Sequence, residues 1–468
     1  MRQITERKPL NFFLVGLMNV AMVASLQMMP ACAVYGSSLI IIYLIAALVF
    51  FLPSLLLIAE LATSCPVTGG SFVWVERAFG KSWGVFAASI HWFCNLIWYP
   101  TIFSLIATCF AYLVWPEFAA QKSFLFISML VLFWGITLLN FCGIKASSLF
   151  SSISAIIGVM LPTLLLIAFG LIWLMQSNFT DISFSFSAML PRLSDPSQMT
   201  FLTQVIISLV GLEMAFVHAG DIHEPHRTIP QSLRFSAIAV LIIVVAAPLA
   251  IATVIPSEKI SIVTGLFDAF KVFFQQCGLP LSVYLFMLGL VFVGTCGHVT
   301  AWMISVTRTM HVASIQCNMP LFLQKTNRFG APVGILVLEA IIFSTMALFF
   351  LFFETVNNAY WLLLILACQI GLFLYLLLFA AAVKIKMRPS TSPTSFKIPG
   401  GVKGTMIAAI SSGIATMAAI VIGFFPPEQG MVLGGHSYPF ILALGILLIL
   451  GLPLVFIRQM KENLSSIL

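Results

Sequence analysis

Apolar residues run along this chain in twelve long blocks, parted by short polar or basic connectors, and charges scarcely enter them. The blocks span approximately residues 11–35, 38–62, 82–114, 123–141, 148–175, 201–220, 233–255, 280–310, 333–353, 358–383, 403–425 and 438–458. A hydrocarbon core of about 30 Å takes about 20 apolar residues as helix, so each block predicts one membrane span. Phe, Leu, Ile and Ala fill the blocks without two-residue alternation, which excludes the strands of an outer-membrane barrel. The first block is too long and too polar inside for a signal peptide, and no small-residue cleavage site precedes the second. It is expected to stay.

The interruptions carry more information than the blocks. The first holds NVAMVASLQMMPACAVYG, with Asn19, Ser25, Gln27 and Pro30 at membrane depth. The sixth holds ISLVGLEMAFVHAGD, with Ser208, Gly211, Glu213 and His218. Five helices separate the two. Two broken helices at matching places predict an inverted repeat of five-helix halves, 11–175 and 201–383, with a binding site between them; 403–458 adds helices eleven and twelve. The breaks are expected near 21–25 and 211–215. A break leaves N–H groups unpaired at one half-helix start and C=O groups unpaired at the other's end, each costly in lipid. A zwitterion satisfies both, carboxylate on N–H and ammonium on C=O. The alternative is a Pro- or Gly-kinked helix whose groups are paired by Ser, Thr or water.

Composition agrees with a single transmembrane domain over 1–468: hydrophobic residues make up 61% and charged ones 8%. With the N-terminus inside, the cytoplasmic loops hold 18 basic residues and the opposite loops only Lys122, Arg192, Lys259 and Lys271, together the 22 of the chain. That bias predicts both termini cytoplasmic in an inner membrane. It also accounts for the net charge of +7 without a nucleic-acid partner. Nine scattered cysteines show no metal or redox spacing, and neither a disulfide nor a metal is expected. Residues 264–278 have helical spacing suited to a membrane surface, and 384–401 reads as a connector. No Walker loop, dinucleotide fingerprint or nucleophile triad is present, so neither an enzyme nor a cofactor is predicted.

Four motifs in register carry a resemblance. AELATSCPVTGGSFVWVERAFGKSWG (59–84) resembles the second-helix end and following loop of amino acid–polyamine–organocation transporters, and GLEMAFVHAGDIHEPHRTIPQSL (211–233) resembles their sixth helix and its exit. FKIPGG (396–401) and FFPPE (424–428) are similar to the glutamate/GABA antiporter branch. The resemblance implies an all-α protein of twelve helices in a LeuT-like 5+5 inverted repeat plus two, moving amino acids by exchange or proton coupling. Three departures stand out. The antiporters have a C-terminal plug, for which this sequence shows no counterpart, so closure at neutral pH is not expected. Gln27-Met28-Met29-Pro30 stands in the first helix where the family has a Tyr-Glu-Tyr-Pro run, so one acidic group is lost, and His298 stands where the family has a pathway glutamate. A neutral α-amino acid is therefore expected over GABA or a polyamine, and His298→Glu is expected to shift preference toward amine-ended substrates.

The candidate substrate contacts are Met22, Val23, Ala24 and Ser25 at the first break, Gly211, Glu213 and Met214 at the sixth, and His298 and Trp302 on the eighth helix. Glu213, His218, Asp221, Asn95, Trp98 and Tyr360 are candidates for coupling or gating. Each has a plainer reading. Glu213 can be a well-bonded structural group, His298 a satisfied packing imidazole, and Trp302 a packing ring. His218 and Asp221 suit a helix-end contact, Asn95 and Trp98 ordinary packing, and Tyr360 an interfacial belt. Glu60, Glu76 and Arg77 are expected to brace the cytoplasmic face, and Glu339 to pair with a basic group there. The expected partners are an amino acid, a proton or counter-substrate, and the bilayer; oligomeric state is left open. The rival readings are a sensor without turnover and an amine carrier.

Overall fold

The computed structural model describes residues 11–119, 121–176, 182–191, 196–348, 351, 356–388, 396–425 and 437–465. Arg2, Arg7, Lys8, Arg192, much of the 384–401 connector, part of the 176–200 loop and residues 426–428 of the FFPPE motif lie outside them. Among the described residues ten helices are long and apolar enough to cross a membrane. Two further blocks form shorter pieces: 333–353 gives the 15-residue helix Val333–Ala347, and 201–220 is divided.

In chain order the elements are α1 (Phe12–Val23), α2 (Met29–Ala33), α3 (Ser38–Ser64), α4 (Ser71–Phe79), α5 (Lys81–Val114), α6 (Lys122–Phe141) and α7 (Ile144–Met175). There follow α8 (Pro196–Ser208), α9 (Pro225–Val254), α10 (Gly265–Gln276), α11 (Leu281–Gln316), α12 (Val333–Ala347), α13 (Val356–Lys386), α14 (Gly401–Ile422) and α15 (Ser437–Ser465). α10 covers the stretch read as a surface helix and buries Phe267, Phe270, Phe273 and Phe274. α11 runs one and a half turns beyond its apolar block. Arg308, which the charge count places in a loop, therefore sits on helix.

α5 is the central post. It packs on α11 and α13, while α11 also packs along α7. α1 lies on α9, and α8 on α3. α14 covers α3 and α13 from outside, and α15 leans on α5 and α13. Their exposed faces are rows of Ile, Leu and Met, such as Ile407, Ile410 and Ile414. In water such a face would be a large exposed apolar patch; against lipid chains it is at no disadvantage.

A basic network braces one end of the bundle. Lys386 at the foot of α13 pairs with Glu60 of α3, which also accepts from Thr405 Oγ1 of α14 at 3.0 Å. Arg388 donates to the carbonyls of Arg77 and Ala78 at 2.6 and 3.1 Å, and Arg77 donates to the Ser64 carbonyl at 3.0 Å. This is the network expected of Glu60 and Arg77. Glu339 departs from expectation: its Oε1 accepts from Trp92 Nε1 (2.7 Å) and Thr307 Oγ1 (2.9 Å), and it makes no ion pair among the described residues. Its position on α12 turns it inward between α5 and α11, away from the basic brace.

Candidate functional site

Helix one breaks where its sequence lacks helical continuity. α1 ends at Val23; Ala24 (φ −72°, ψ 75°) and Ser25 (φ −81°, ψ 120°) leave helical geometry, and a 3₁₀ turn, Leu26–Met28, leads into α2. Pro30 lies in the first turn of α2, where its missing N–H is no loss, but it cannot bond back to Leu26. The carbonyls at the end of α1 thus lose their helical donors. Two side chains of α11, one turn apart, replace them. His298 Nδ1 donates to the Ala21 carbonyl at 2.8 Å, and Trp302 Nε1 to the Met22 carbonyl at 3.2 Å.

Helix six breaks at Gly211. α8 stops at Ser208, and the Leu209 and Val210 amides close back on Ile206 and Ile207. Gly211 then takes φ +113°, a conformation that L side chains rarely adopt. A Cβ there would meet Trp302 Cζ2 at 2.8 Å, so the break also needs the absent side chain for space. The Gly211 amide donates to the Tyr375 hydroxyl at 2.9 Å, and that hydroxyl donates to Glu213 Oε2. Beyond the break the chain continues as a 3₁₀ run, Met214–Asp221, rather than as the α-helix its apolar block predicts.

Between the two breaks lies a cavity of about 110 Å³. Of the predicted residues it brings together Met22, Val23, Ser25, Asn95, Trp98, Glu213, His298 and Trp302. The Trp98 and Trp302 rings stand 5.5 Å apart, with the His298 ring 5.9 Å from Trp98, forming one aromatic wall. Asn95 turns its amide back to the His91 carbonyl at 2.9 Å, which leaves its oxygen for the cavity. Among the described residues no Lys or Arg lines the space, and Glu213 is the sole carboxylate there.

Other predicted residues stand apart. Ala24 faces a separate small void beside Tyr43 and Ser208, and Met214 is fully buried away from the cavity. Gly211 contributes backbone alone. Tyr360 packs against Trp361 and lies beside Gln27, off the cavity wall, because its position on α13 is a turn outside Leu364. His218 and Asp221 are joined to Arg308 of α11: the guanidinium donates to His218 Nδ1 at 2.6 Å and to Asp221 Oδ2 at 3.2 Å. They clamp the 3₁₀ run to α11 and do not reach the cavity.

Tyr375 escaped the reading of the sequence, although it ties both sides of the second break. In LLLILACQIGLFLYLLLF (362–379) it looks like one more membrane aromatic. A usable signal was present: Cys368, Gly371 and Tyr375 fall on one helical face, and all three line the cavity. His91, Cys94 and Ser208 were likewise passed over as lining groups.

The model of the amino acid permease family matches residues 10–452. An uncharacterised transporter of Legionella pneumophila is 34% identical over 464 residues, 98% of this chain and 99% of the relative. A glutamate/gamma-aminobutyrate antiporter of Lactococcus lactis is 24% identical, over 96% of this chain and 90% of its own length. A probable agmatine/putrescine antiporter of the same species is 23% identical, over 93% and 92%.

Proposed function

The chain belongs to the amino acid permease family of multi-pass membrane transporters, and from that premise we propose that it is a secondary carrier of neutral α-amino acids. It works by alternating access, in exchange or with protons. The observation that carries the reading is the cavity enclosed by two facing helix breaks, walled by aromatic rings and lacking a cation. The substrate's ammonium sits toward the carbonyl end of α1 and its carboxylate toward the amides around Gly211. Met22, Val23, Ser25, Glu213, His298 and Trp302 form or position that frame. A glutamate side chain would bring a second carboxylate to a site without a cation, and a polyamine would find a single carboxyl, already tied to Tyr375. His298 is a positioning residue in this scheme, holding α1 through the Ala21 carbonyl.

The inverted repeat, 11–175 against 201–383, is supported by the packing partners. Exchanging first with sixth, second with seventh, third with eighth and fifth with tenth span maps α1–α9 packing onto α8–α3 packing. It also maps α5–α13 onto α11–α7. The bias of basic residues supports taking the end braced by Glu60 and Lys386 as the cytoplasmic side, with both termini there and the protein in the inner membrane.

The test is competition in proteoliposomes loaded with leucine, with labelled leucine outside and Ser, Leu, Gln, Glu, GABA or Arg as competitor. Leu and Gln should compete best. Strongest competition by Glu, GABA or Arg would refute the substrate class, and binding in a thermal-shift screen without any exchange would make the protein a sensor.

A further inference from the structure

Glu339 belongs to neither the cavity nor the brace. It is 1% exposed, its Oε1 accepts two hydrogen bonds, and its Oε2 has no partner. From α5 it faces the Trp92 indole and Tyr99, whose hydroxyl is also without a partner. From α11 it faces Thr307. α6 brings Asn140, whose amide is turned to Ile136 and Met303, and the short helix Leu321–Gln324 packed on α12 carries no titratable group. A carboxylate this deep, with no counter-charge, is expensive; a carboxylic acid in the same place is far less so. The bonding suits the acid: a carbonyl Oε1 taking two donors, and an Oε2 carrying the proton.

Thr307 links this group to a second cavity. Its hydroxyl donates to Glu339, and the same residue lines that cavity, of about 280 Å³, at the basic end. Leu336, one turn before Glu339 on α12, lines it too. Its polar wall is formed by Thr68, Asn140, Ser147, Thr307, Arg308 and His311. Arg308 is held by His218 and Asp221 and makes no ion pair with Glu339.

We propose that Glu339 is a proton-binding site, separate from the substrate cavity and loaded through Thr307 from the cavity at the basic end. To unload, the carboxyl group turns so that its O–H meets the Thr307 hydroxyl; that O–H bond breaks as Thr307 Oγ1 takes the proton and releases its own hydroxyl proton to water entering the second cavity, and the reverse sequence reloads the acid. The resulting carboxylate has no cation to meet, so losing the proton requires water to enter between α5, α11 and α12. Those helices also carry His91, Trp98, His298 and Trp302 to the substrate cavity. Protonation of Glu339 and movement around the substrate are thereby linked. That coupling rests on the transport reading; the protonation itself does not.

Two measurements separate them. Infrared difference spectra of the purified protein at neutral pH should show a protonated-carboxyl band that Glu339→Gln removes. The band should shift in D₂O, and shift more slowly in Thr307→Val. A Glu339→Gln spectrum identical to wild type, or exchange unchanged in Thr307→Val, overturns the site or its route. In proteoliposomes with an internal pH dye, leucine movement by wild type should carry protons, and Glu339→Gln should lower protons moved per leucine to background. An undiminished ratio in Glu339→Gln, or leucine movement without protons in wild type, overturns the coupling. Absence of any amino acid movement by wild type refutes the transport reading, while the infrared band still decides whether Glu339 holds a proton.

Discussion

One methyl group at Gly211 tests the second break and its contact with the first. Ala at φ +113° carries backbone strain of about 1–3 kcal/mol. Its Cβ would lie 2.8 Å from Trp302 Cζ2, so the indole must move, and it is the indole that donates to the Met22 carbonyl at 3.2 Å. Losing that bond adds about 0.5–1.5 kcal/mol. The sum, about 1.5–4.5 kcal/mol, corresponds to roughly 10- to 1,000-fold in an equilibrium constant at about 1.4 kcal/mol per decade. Both costs fall on the arrangement that encloses the cavity, so amino acid affinity should drop within that range. The assay is thermal stability in detergent with and without amino acid, alongside binding by titration. Gly135→Ala is the control. It lies inside α6 with nothing within 4 Å of its added Cβ, and Ala for Gly in a helix interior should stabilise by about 1 kcal/mol. Wild-type binding and stability in Gly211→Ala would refute the account of the break.

Tyr375→Phe leaves the Gly211 amide and Glu213 Oε2 without their common partner, at about 1–3 kcal/mol for each unpaired group. Binding should fall tenfold or more with helix content unchanged; wild-type affinity would remove Tyr375 from the site. At His298 the order should be Gln above Leu above Glu. Gln can still donate to the Ala21 carbonyl, Leu cannot, and a carboxylate would set acceptor against acceptor. His298→Glu performing as well as His298→Gln would show that the hydrogen bond is irrelevant. Asp268 of α10 offers a pH test away from the spans. Burial pushes its carboxyl above the ordinary value, against the opposing Thr264 hydrogen bond and Lys271 charge. The folded protein therefore holds this proton more tightly than the unfolded chain. Its contribution is best below about pH 4 and is lost as pH rises through the raised value. Asp268→Asn should flatten that part of a Tm–pH profile, and a mutant curve overlaying wild type would refute the assignment.

The ten long spans were legible because one rule dominates a bilayer: every backbone polar group must be paired within the segment, so helices follow from apolar length alone. The breaks were legible for a related reason. Pro30 and Gly211 are residues whose backbone chemistry forbids or releases a helical bond, and no distant contact is needed to see that. What pairs the freed groups was not legible. His298, Trp302 and Tyr375 reach the breaks from helices far along the chain, and a lone aromatic in an apolar run looks the same whether it packs or donates. Glu339 was misassigned on similar grounds. Its depth on α12 suggested the basic end, but rotation about the helix axis, which apolar surroundings do not specify, directs it to Trp92 and Thr307.

The pairing found at the breaks bears on how a zwitterion would be held. On the proposed reading the carboxylate seeks amides near Gly211, yet the Gly211 amide is engaged by Tyr375. Binding therefore exchanges one hydrogen bond for another instead of adding one. Such an exchange contributes little net energy, since an intramolecular bond is worth only about 1 kcal/mol over its alternative. Affinity must then come from the aromatic wall of Trp98, His298 and Trp302 and from the apolar lining, which reward the side chain. On the proposed reading the backbone frame selects an α-amino acid, and the wall selects among them. GABA, with its ammonium three carbons from the carboxylate, would lose the frame and bring no side chain to the wall. Conversion to amine-ended substrates would therefore require a new acid on the wall, at a position such as Trp98. His298 is unsuited to it, because its ring is committed to the carbonyl of Ala21.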